Sequence, residues 1–262
     1  MGELFPISID FFRGVFNRSF ACLNYTKIAL MEKVVGFKRI ELKEGVIVLN
    51  CILASGREVG FSLDANFAEE LKDLIARAVK PVVDLTSPVK LNIGCGKVKY
   101  PGWLNIDIEP GADLVLDVRH GLPFEDNSVD FIYSEHFWEH LTLNEAETVL
   151  RDFFRCLKTG GVVRIATPDL DYLIQKYLSD WKNQAWLRLP EYSFISSRGL
   201  MFNISFYSWG HKYIYNEEDL RNQLSKAGFK QISRCELGSS THPELCNLET
   251  REESKLILEA VK

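Results

Sequence analysis

Short apolar runs alternate with amphipathic stretches along the chain from residue 89 onward. The runs are rich in branched apolar residues and short, which is typical of buried strands. We place these strands at residues 91–93, 104–108, 114–116, 129–133, 162–166, 230–237 and 256–261. Strands that alternate with helices predict a mostly parallel sheet with helices on both faces, which is an α/β fold.

The helices between these strands have recognisable ends. Thr142 and Glu145, three residues later, form a capping-box pair at the start of a helix over 143–157. We expect Gly160-Gly161 to stop that helix. A further helix begins after Asn216. Both helices carry their apolar residues on one face, which predicts that they pack against the sheet.

Residues 1–88 read as a separate N-terminal α+β module. Three apolar runs predict a β-hairpin followed by a third strand, at residues 36–42, 46–53 and 57–63. Asn66 is a good N-cap for a helix that ends at Pro81, and residues 81–88 read as a linker. We therefore divide the chain into a module over 1–88, without assigned chemistry, and a larger domain over 89–262.

Residues 170–215 interrupt the alternation of strands and helices. They contain twelve aromatic residues and follow no single helical or strand period. Aromatic side chains bury large areas and usually belong to a core. The insert is therefore either an extra layer of core or a mobile lid over a substrate, and a sugar that stacks on one of its rings would suit it.

Composition narrows the class of protein. A net charge of −5 and a pI near 5.7 argue against a nucleic acid as the main partner. The six cysteines lie far apart and form no CxxC pair, which favours reduced thiols in the cytoplasm over disulfides or zinc. No apolar run approaches the ~18 residues of a membrane span. We expect a cytoplasmic protein without such a span.

Residues 90–117 combine a glycine turn with carboxylates at the ends of successive strands. Gly94-Cys95-Gly96 follows the first strand, and Asp107 and Asp117 lie at the second and third. Glycines allow the backbone to approach a ligand closely. A carboxylate at a strand end accepts hydrogen bonds from ribose hydroxyls. The pattern predicts a nucleoside-cofactor site.

The order of these pieces resembles the class I S-adenosylmethionine-dependent methyltransferases. The resemblance covers residues 89–262, and its motifs are Gly94-Cys95-Gly96, Asp107, Asp117 followed by 122–130, Leu157-Lys158-Thr159-Gly160-Gly161, and Ala227-Gly228-Phe229. It implies a Rossmann-like sheet of seven strands, whose last strand runs antiparallel between the fifth and the sixth. Residues 94–108 are also similar to bacterial proteins of polysaccharide or cell-surface sugar biosynthesis.

The same resemblance implies S-adenosylmethionine as cofactor and gives roles to individual residues. Gly94, Cys95 and Gly96 would lie against its methionine end, and Asp107 would hold the ribose. Further cofactor contacts fall on Asn92, Ile108, Asp117 near the adenine amino group, Val118 through its backbone, Ser134 and Glu135. The glycines also fit a simple tight turn, and both aspartates fit solvated strand ends.

Two features depart from the family pattern. Asn92 occupies the position where the family usually carries an acid, so it gives the methionine ammonium no counter-charge. In addition, only residues 97–103 link the first two strands, whereas a parallel crossover normally needs a dozen or more residues and a helix. Seven extended residues reach about 24 Å, which is enough to return along a short strand. We therefore expect the topology without its first crossover helix.

Histidines are the candidate bases for an acceptor hydroxyl. His136, just past the fourth strand, and His211, at the end of the insert, are the candidate catalytic residues. A zinc site of His136, Glu139 and His140 is disfavoured, because the HExxH order is absent and no third ligand is obvious. We expect no metal.

Three functions are compatible with the fold. The first is a methyltransferase for a small-molecule or saccharide acceptor. A nicotinamide-dependent oxidoreductase is disfavoured, because Lys99 stands where the fingerprint needs its third glycine. A non-catalytic member of the fold, which binds the cofactor or acts through protein contacts, remains the alternative.

Overall fold

The structure is a computed structural model that describes residues 34–43, 46–53, 58–63 and 88–262. Two compact units divide the chain, one over Met1–Lys72 and one over Asp73–Lys262. In the first unit, strands β1 (Val34–Lys43), β2 (Val46–Leu53) and β3 (Glu58–Leu63) form an antiparallel three-stranded sheet. The predicted hairpin and third strand are confirmed. The predicted helix after Asn66 lies outside the described residues, and the domain boundary at residue 88 stays a prediction.

The second unit is built on a seven-stranded mixed sheet. Its strands are β4 (Lys90–Ile93), β5 (Leu104–Asp107), β6 (Leu114–Val115), β7 (Val129–Glu135), β8 (Leu157–Thr167), β9 (Lys230–Arg234) and β10 (Leu256–Val261). The strand order is β6-β5-β4-β7-β8-β10-β9, and β10 runs antiparallel to both of its neighbours. This is the predicted class I methyltransferase fold.

Four α-helices accompany this sheet in the described part of the chain. They are α1 (Leu143–Cys156), α2 (Leu170–Leu178), α3 (Arg198–Tyr207) and α4 (Glu217–Ala227). The apolar stripe of α1 packs on one sheet face beside Leu220 and Leu224 of α4. Among the described residues, no helix combines the length and apolar character that a membrane span requires.

The two ends of α1 confirm one prediction and correct another. Thr142 and Glu145 form the complete capping box, as predicted. The glycine pair Gly160-Gly161, however, does not stop α1. The helix ends at Cys156, because the carbonyls of Arg155 and Cys156 accept hydrogen bonds from the Asn127 and Ser128 amides. The glycine pair lies inside β8, which begins directly at Leu157.

Several strand boundaries also differ from the predicted ones. Strand β5 ends at Asp107, and Ile108 is 60% exposed, so it belongs to the loop that follows. Strand β7 extends two residues past the predicted end at 133, to Glu135. Strand β9 ends at Arg234 and not at 237. The insert over 170–215 holds α2, α3 and two short 3₁₀ helices, which the sequence did not resolve.

The opposite sheet face is covered without a crossover helix between β4 and β5. Trp103 of the short crossover packs there with Tyr133, Leu245 and Leu248. The Tyr100 hydroxyl donates a hydrogen bond to the Leu248 carbonyl, which joins the crossover to the later loop. The predicted topology without this helix is therefore confirmed, and aromatic residues occupy part of its place.

Candidate functional site

The first cavity lies where the order of the parallel strands reverses, between β4 and β7. It has a volume of about 630 Å³ and opens at the carboxyl ends of the strands. In open α/β sheets this switch point is where ligands bind. Most of the predicted cofactor residues line this cavity: Asn92, Gly94, Cys95, Gly96, Asp107, Ile108, Asp117, Val118 and Glu135.

The glycine loop is tied to the neighbouring strand by its backbone. The amides of Gly94 and Cys95 donate to the Ile106 carbonyl at 2.9 and 3.1 Å. Gly94 has φ 67°, and a Cβ there would lie 2.9 Å from the Cβ of Phe137. Gly96 has φ 50°, but a Cβ there would meet no atom within 4 Å. Gly94 is therefore required by packing, whereas Gly96 leaves open space beside the cavity.

Asp107 braces the same loop through its carboxylate. Its Oδ2 accepts from the Gly96 amide at 2.7 Å, and its Oδ1 accepts from the Glu109 amide at 2.9 Å. A carboxylate has about four acceptor positions, so each oxygen keeps a lone pair for a ligand. The two backbone bonds fix the side chain at the cavity, and its role towards a ribose stays a prediction.

Asn92 is oriented by a buried network. Its Nδ2 donates to the Val98 carbonyl and to Asn105 Oδ1, both at 3.0 Å. Asn105 Oδ1 also accepts from the Tyr100 amide, while its Nδ2 donates to Asp113 Oδ2 at 2.6 Å. These partners assign the nitrogen and the oxygen of each amide, because only the nitrogen can donate to an acceptor. They leave the Asn92 oxygen for a ligand, and an oxygen is the atom that accepts from an ammonium group.

This network explains both departures from the family pattern together. The crossover residues Val98 and Tyr100 are held through Asn92 and Asn105. A carboxylate at position 92 would face the Val98 carbonyl and Asn105 Oδ1, which are both acceptors. An amide is thus the side chain that can hold a crossover without a helix.

Asp117 is more heavily engaged than the sequence suggested. Its Oδ1 accepts from the Arg119 amide, and both oxygens accept from the Arg119 guanidinium at 2.6–3.0 Å. Burial raises the pKa of Asp117, but the hydrogen bonds and charge of Arg119 outweigh it and leave the pKa below its usual range. The neighbouring Val118 is buried and lines the cavity. The adenine contact of Asp117 stays a prediction.

The two residues predicted at the end of β7 differ in position. Ser134 is fully buried outside the cavity lining, and its Oγ accepts from Trp138 Nε1 at 2.7 Å. Glu135 lines the cavity, but its carboxylate accepts from the Thr250 amide and hydroxyl and from Ser254 Oγ. Ser134 therefore has a packing role, and Glu135 anchors a loop that itself contributes Thr250 to the cavity wall.

His136 lies between the first cavity and a second one, and it lines both. Its backbone is in the left-handed region with φ 51°. Its Nδ1 lies 2.9 Å from Glu139 Oε1, and Thr167 Oγ1 donates to Glu139 Oε2 at 3.0 Å. The Nε2 atom is buried without a hydrogen-bond partner among the described residues. The carboxylate thus orients the ring, with Nε2 left for chemistry.

The second cavity, of about 780 Å³, is formed largely by the aromatic insert. Trp186, Tyr192 and Trp209 contact one another edge to face, with ring centroids 5.1–5.7 Å apart. His211 lies beside them, and its Nδ1 is 2.7 Å from the Ser205 carbonyl. Burial lowers the pKa of His211. A carbonyl can only accept, so Nδ1 carries the proton and Nε2 the lone pair.

His136, His140 and Arg251 line both cavities, so the two spaces meet at these residues. The two predicted catalytic histidines, His136 and His211, both line the second cavity, and their roles stay predictions. Sequence reasoning did not single out Arg119, Thr167 or Arg251. The first of these has a local signal, because it follows Asp117 by two residues. The others come from distant segments, and nothing near them in sequence marks them.

Comparison with known proteins gives a family match within the larger unit. Residues 91–165 match a family described as "Methyltransferase domain". The search of curated proteins gave no match to the chain. Similar solved structures include a SAM-dependent methyltransferase from Archaeoglobus fulgidus, at 18% identity over 76% of this chain and 100% of that one, with a TM-score of 0.40. Another is Haemonchus contortus phosphoethanolamine N-methyltransferase 2 in complex with S-adenosyl-L-methionine, at 14% identity over 74% and 52%, with a TM-score of 0.41.

Residues 91–165 of the larger unit thus match a methyltransferase domain, and the resemblance described above implies S-adenosylmethionine as the cofactor. The residues of the first cavity fit this group. Asp107 keeps lone pairs for a diol, Asn92 keeps an oxygen for an ammonium, and Gly96 leaves open space where a side chain would intrude.

Proposed function

We propose that the protein transfers a methyl group to a hydroxyl of a small-molecule or saccharide acceptor held in the second cavity. The observation that carries this proposal is the meeting of the two cavities at His136, whose Nε2 has no partner among the described residues. The cysteine spacing keeps the cytoplasm as the expected place of the reaction.

In the first cavity we assign the predicted cofactor roles as follows. Asp107 accepts from the ribose hydroxyls, and Asn92 Oδ1 accepts from the methionine ammonium. The amides of the glycine loop remain bonded to the sheet, so the loop supplies shape and not donors. Glu135 serves indirectly, because it fixes the loop that carries Thr250 and Arg251 beside the same cavity.

When bound, the cofactor supplies an electrophilic methyl carbon on a sulfonium. In the transfer the acceptor oxygen would bond to that carbon as the carbon–sulfur bond breaks, and His136 Nε2 would take the acceptor proton. The Glu139 carboxylate lies 2.9 Å from Nδ1, and its charge favours the proton on Nδ1 and the lone pair on Nε2. Thr167 fixes the carboxylate in turn. A positioned base of this kind typically contributes 10²–10⁴-fold in rate.

The second cavity favours an acceptor with an apolar face and several hydroxyls. Trp186, Tyr192 and Trp209 present aromatic surface, while Asn183 and Gln184 add amide groups to the wall. Aromatic rings and amides are the groups that bind the apolar and hydroxyl faces of a sugar. This combination supports a saccharide, and it agrees with the similarity of residues 94–108 to proteins of sugar biosynthesis.

Binding of S-adenosylhomocysteine, measured by calorimetry, tests the cofactor half of the proposal. We expect wild-type protein and Asp180→Ala, a control at an exposed position outside both cavities, to bind equally. Asp107→Ala should bind at least tenfold more weakly, because the ribose loses charge-assisted bonds. Unchanged affinity in Asp107→Ala would contradict the ribose assignment.

Release of S-adenosylhomocysteine in the presence of monosaccharides and nucleotide sugars tests the transfer. With an acceptor from this panel, His136→Ala should lower turnover about 100-fold or more while cofactor affinity stays within twofold. Equal turnover in the variant would overturn the role of His136. Cofactor binding without turnover on any acceptor would favour a non-catalytic member of the fold.

A further inference from the structure

We infer that Glu139, His140 and His211 form a binding site for a divalent transition-metal ion. Sequence reasoning disfavoured a metal because the segment around His136 offered no third ligand. The fold supplies one from a distant segment. One ligand atom each from Glu139, His140 and His211 all lie within 4.8 Å of one another.

The separation of these atoms is close to that of a metal site. Metal–nitrogen and metal–oxygen bonds are about 2.0–2.2 Å long, so two ligands of one ion lie up to about 4.2 Å apart. The rings of His140 and His211 contact each other with centroids at 5.1 Å and an angle of 75°. Small rotations of these two side chains would bring all three atoms within range.

Two of the three ligands, His211 and Glu139, are already oriented by a second group. Ser205 accepts from His211 Nδ1 and so directs the lone pair of Nε2 away from the backbone. Thr167 and His136 contact the two oxygens of Glu139. Metal ligands in proteins are commonly fixed by such outer hydrogen bonds, which set the tautomer of histidines and the orientation of carboxylates.

The carboxylate of Glu139 also needs compensation. Its side chain is fully buried, and no lysine or arginine among the described residues forms an ion pair with it; its ion-pair contact is His136. Burying a carboxylate is costly unless it is paired or coordinates a metal. A cation held jointly with two neutral imidazoles would neutralise it.

The chemistry of the donors defines the class of ion. Two imidazoles and one carboxylate suit Zn²⁺, Mn²⁺ or Fe²⁺, whereas Mg²⁺ and Ca²⁺ prefer sites made of oxygen alone. Three protein ligands leave coordination positions open, as in catalytic sites. His140 lines both cavities, so an open position would face the acceptor.

This position gives the ion a role that rests on the proposed function. An acceptor hydroxyl coordinated there would lose its proton more easily, because the metal stabilises the alkoxide. The proton still passes to His136 Nε2, and no additional reactant is required. The ion itself is unchanged by the reaction.

Cobalt titration of chelator-treated, dialysed full-length protein tests the site without relying on activity. We expect one equivalent of Co²⁺ to bind with visible d–d absorption, and calorimetry to show Zn²⁺ binding at the same stoichiometry. His211→Ala should weaken binding at least tenfold, and His140→Ala likewise. His242→Ala, which removes a histidine that contacts Phe131 edge to face outside this cluster, should bind as wild type does.

The outcomes separate this inference from the proposed function. Absence of stoichiometric binding, or equal affinity in wild type and His211→Ala, would overturn the metal site. Circular dichroism melting of each variant shows whether a loss of metal binding comes from misfolding. If His211→Ala does not fold, His211→Asn, which keeps a polar side chain, is measured in its place. S-adenosylhomocysteine affinity measured on the same samples reports on the cofactor site alone, so each proposal can fail by itself.

Discussion

Replacing Asn92 by aspartate would give this chain the acid that the family usually carries, yet we expect it to destabilise the fold. Asn92 is buried, with an exposed fraction of 3%. Its Nδ2 donates two hydrogen bonds of 3.0 Å, to the Val98 carbonyl and to Asn105 Oδ1. The substitution replaces that donor by a carboxylate oxygen and sets it against two acceptors.

The size of the effect follows from these contacts. Leaving a buried hydrogen-bonding group without its partner costs about 1–3 kcal/mol. Here the Val98 carbonyl loses its partner, while Asn105 Oδ1 keeps the Tyr100 amide but faces a carboxylate oxygen. The new carboxylate also avoids charging in this environment, so its pKa in the folded state rises above the usual value near 3.9. We expect Asn92→Asp to lower the free energy of unfolding by about 3–4 kcal/mol at pH 7, a large part of the roughly 5–15 kcal/mol of a typical domain.

The pH dependence supplies a second signature. When the folded pKa of an acid is raised, the stability it contributes is present below its unfolded pKa and is lost as the pH rises through the folded pKa. The protonated acid can also donate one of the two lost bonds. Asn92→Asp should therefore lie closest to wild type near pH 4 and diverge from it towards pH 7.

Urea unfolding followed by tryptophan fluorescence at pH 4, 5, 6 and 7 measures this difference. Asn222→Asp, on the exposed surface of α4, is the matched control and should shift the midpoint only slightly at any pH. A wild-type midpoint for Asn92→Asp at pH 7 would refute the assigned orientation of the amide. It would also remove the link between Asn92 and the short crossover.

The remaining predictions concern the glycine loop and the first helix. Gly94→Ala should cost about 3 kcal/mol in urea unfolding, because it combines strain at φ 67° with a close contact. Gly102→Ala, at φ 76° in open space, should show only the smaller strain, and equal costs would contradict the packing argument. The Thr142 amide and neighbouring cations lower the pKa of Glu145 to about 2, so its contribution is present above pH 4.5 and disappears as the pH falls towards 2. Between pH 4.5 and pH 2, the free energy of unfolding should therefore fall less in Glu145→Gln than in wild type. Equal decreases in the two proteins would contradict this.

The fold was predictable because its signals are local. Apolar runs, the Thr142 capping box and the glycine after α4 each act within a few residues, and all three are present in the structure. Boundaries were less predictable where tertiary hydrogen bonds decide them. The end of α1 depends on amides of residues 127 and 128, which no pattern near Cys156 reveals.

The site residues also differ in how far local sequence signals could predict them. The meeting of the glycine loop and Asp107 at one cavity was predictable, because they stand at the ends of strands that meet at one sheet edge. Ser134 was misjudged as a cofactor residue, since the sequence gives the end of β7 but not which way each side chain points there. The approach of His211 to Glu139 depends on the fold of an insert without a clear period, and 72 residues separate them.

The short link between β4 and β5 has a consequence for how the domain folds. Leu91 pairs with Leu104 across only 13 positions, whereas its pairing with Ile132 of β7 spans 41. Loop closure costs about (3/2)RT ln n, so the nearer pairing is favoured by about 1 kcal/mol of chain entropy. Parallel strands usually meet late because their connections are long. Here the first parallel pair can form almost as early as a hairpin and give the later strands an edge on which to assemble.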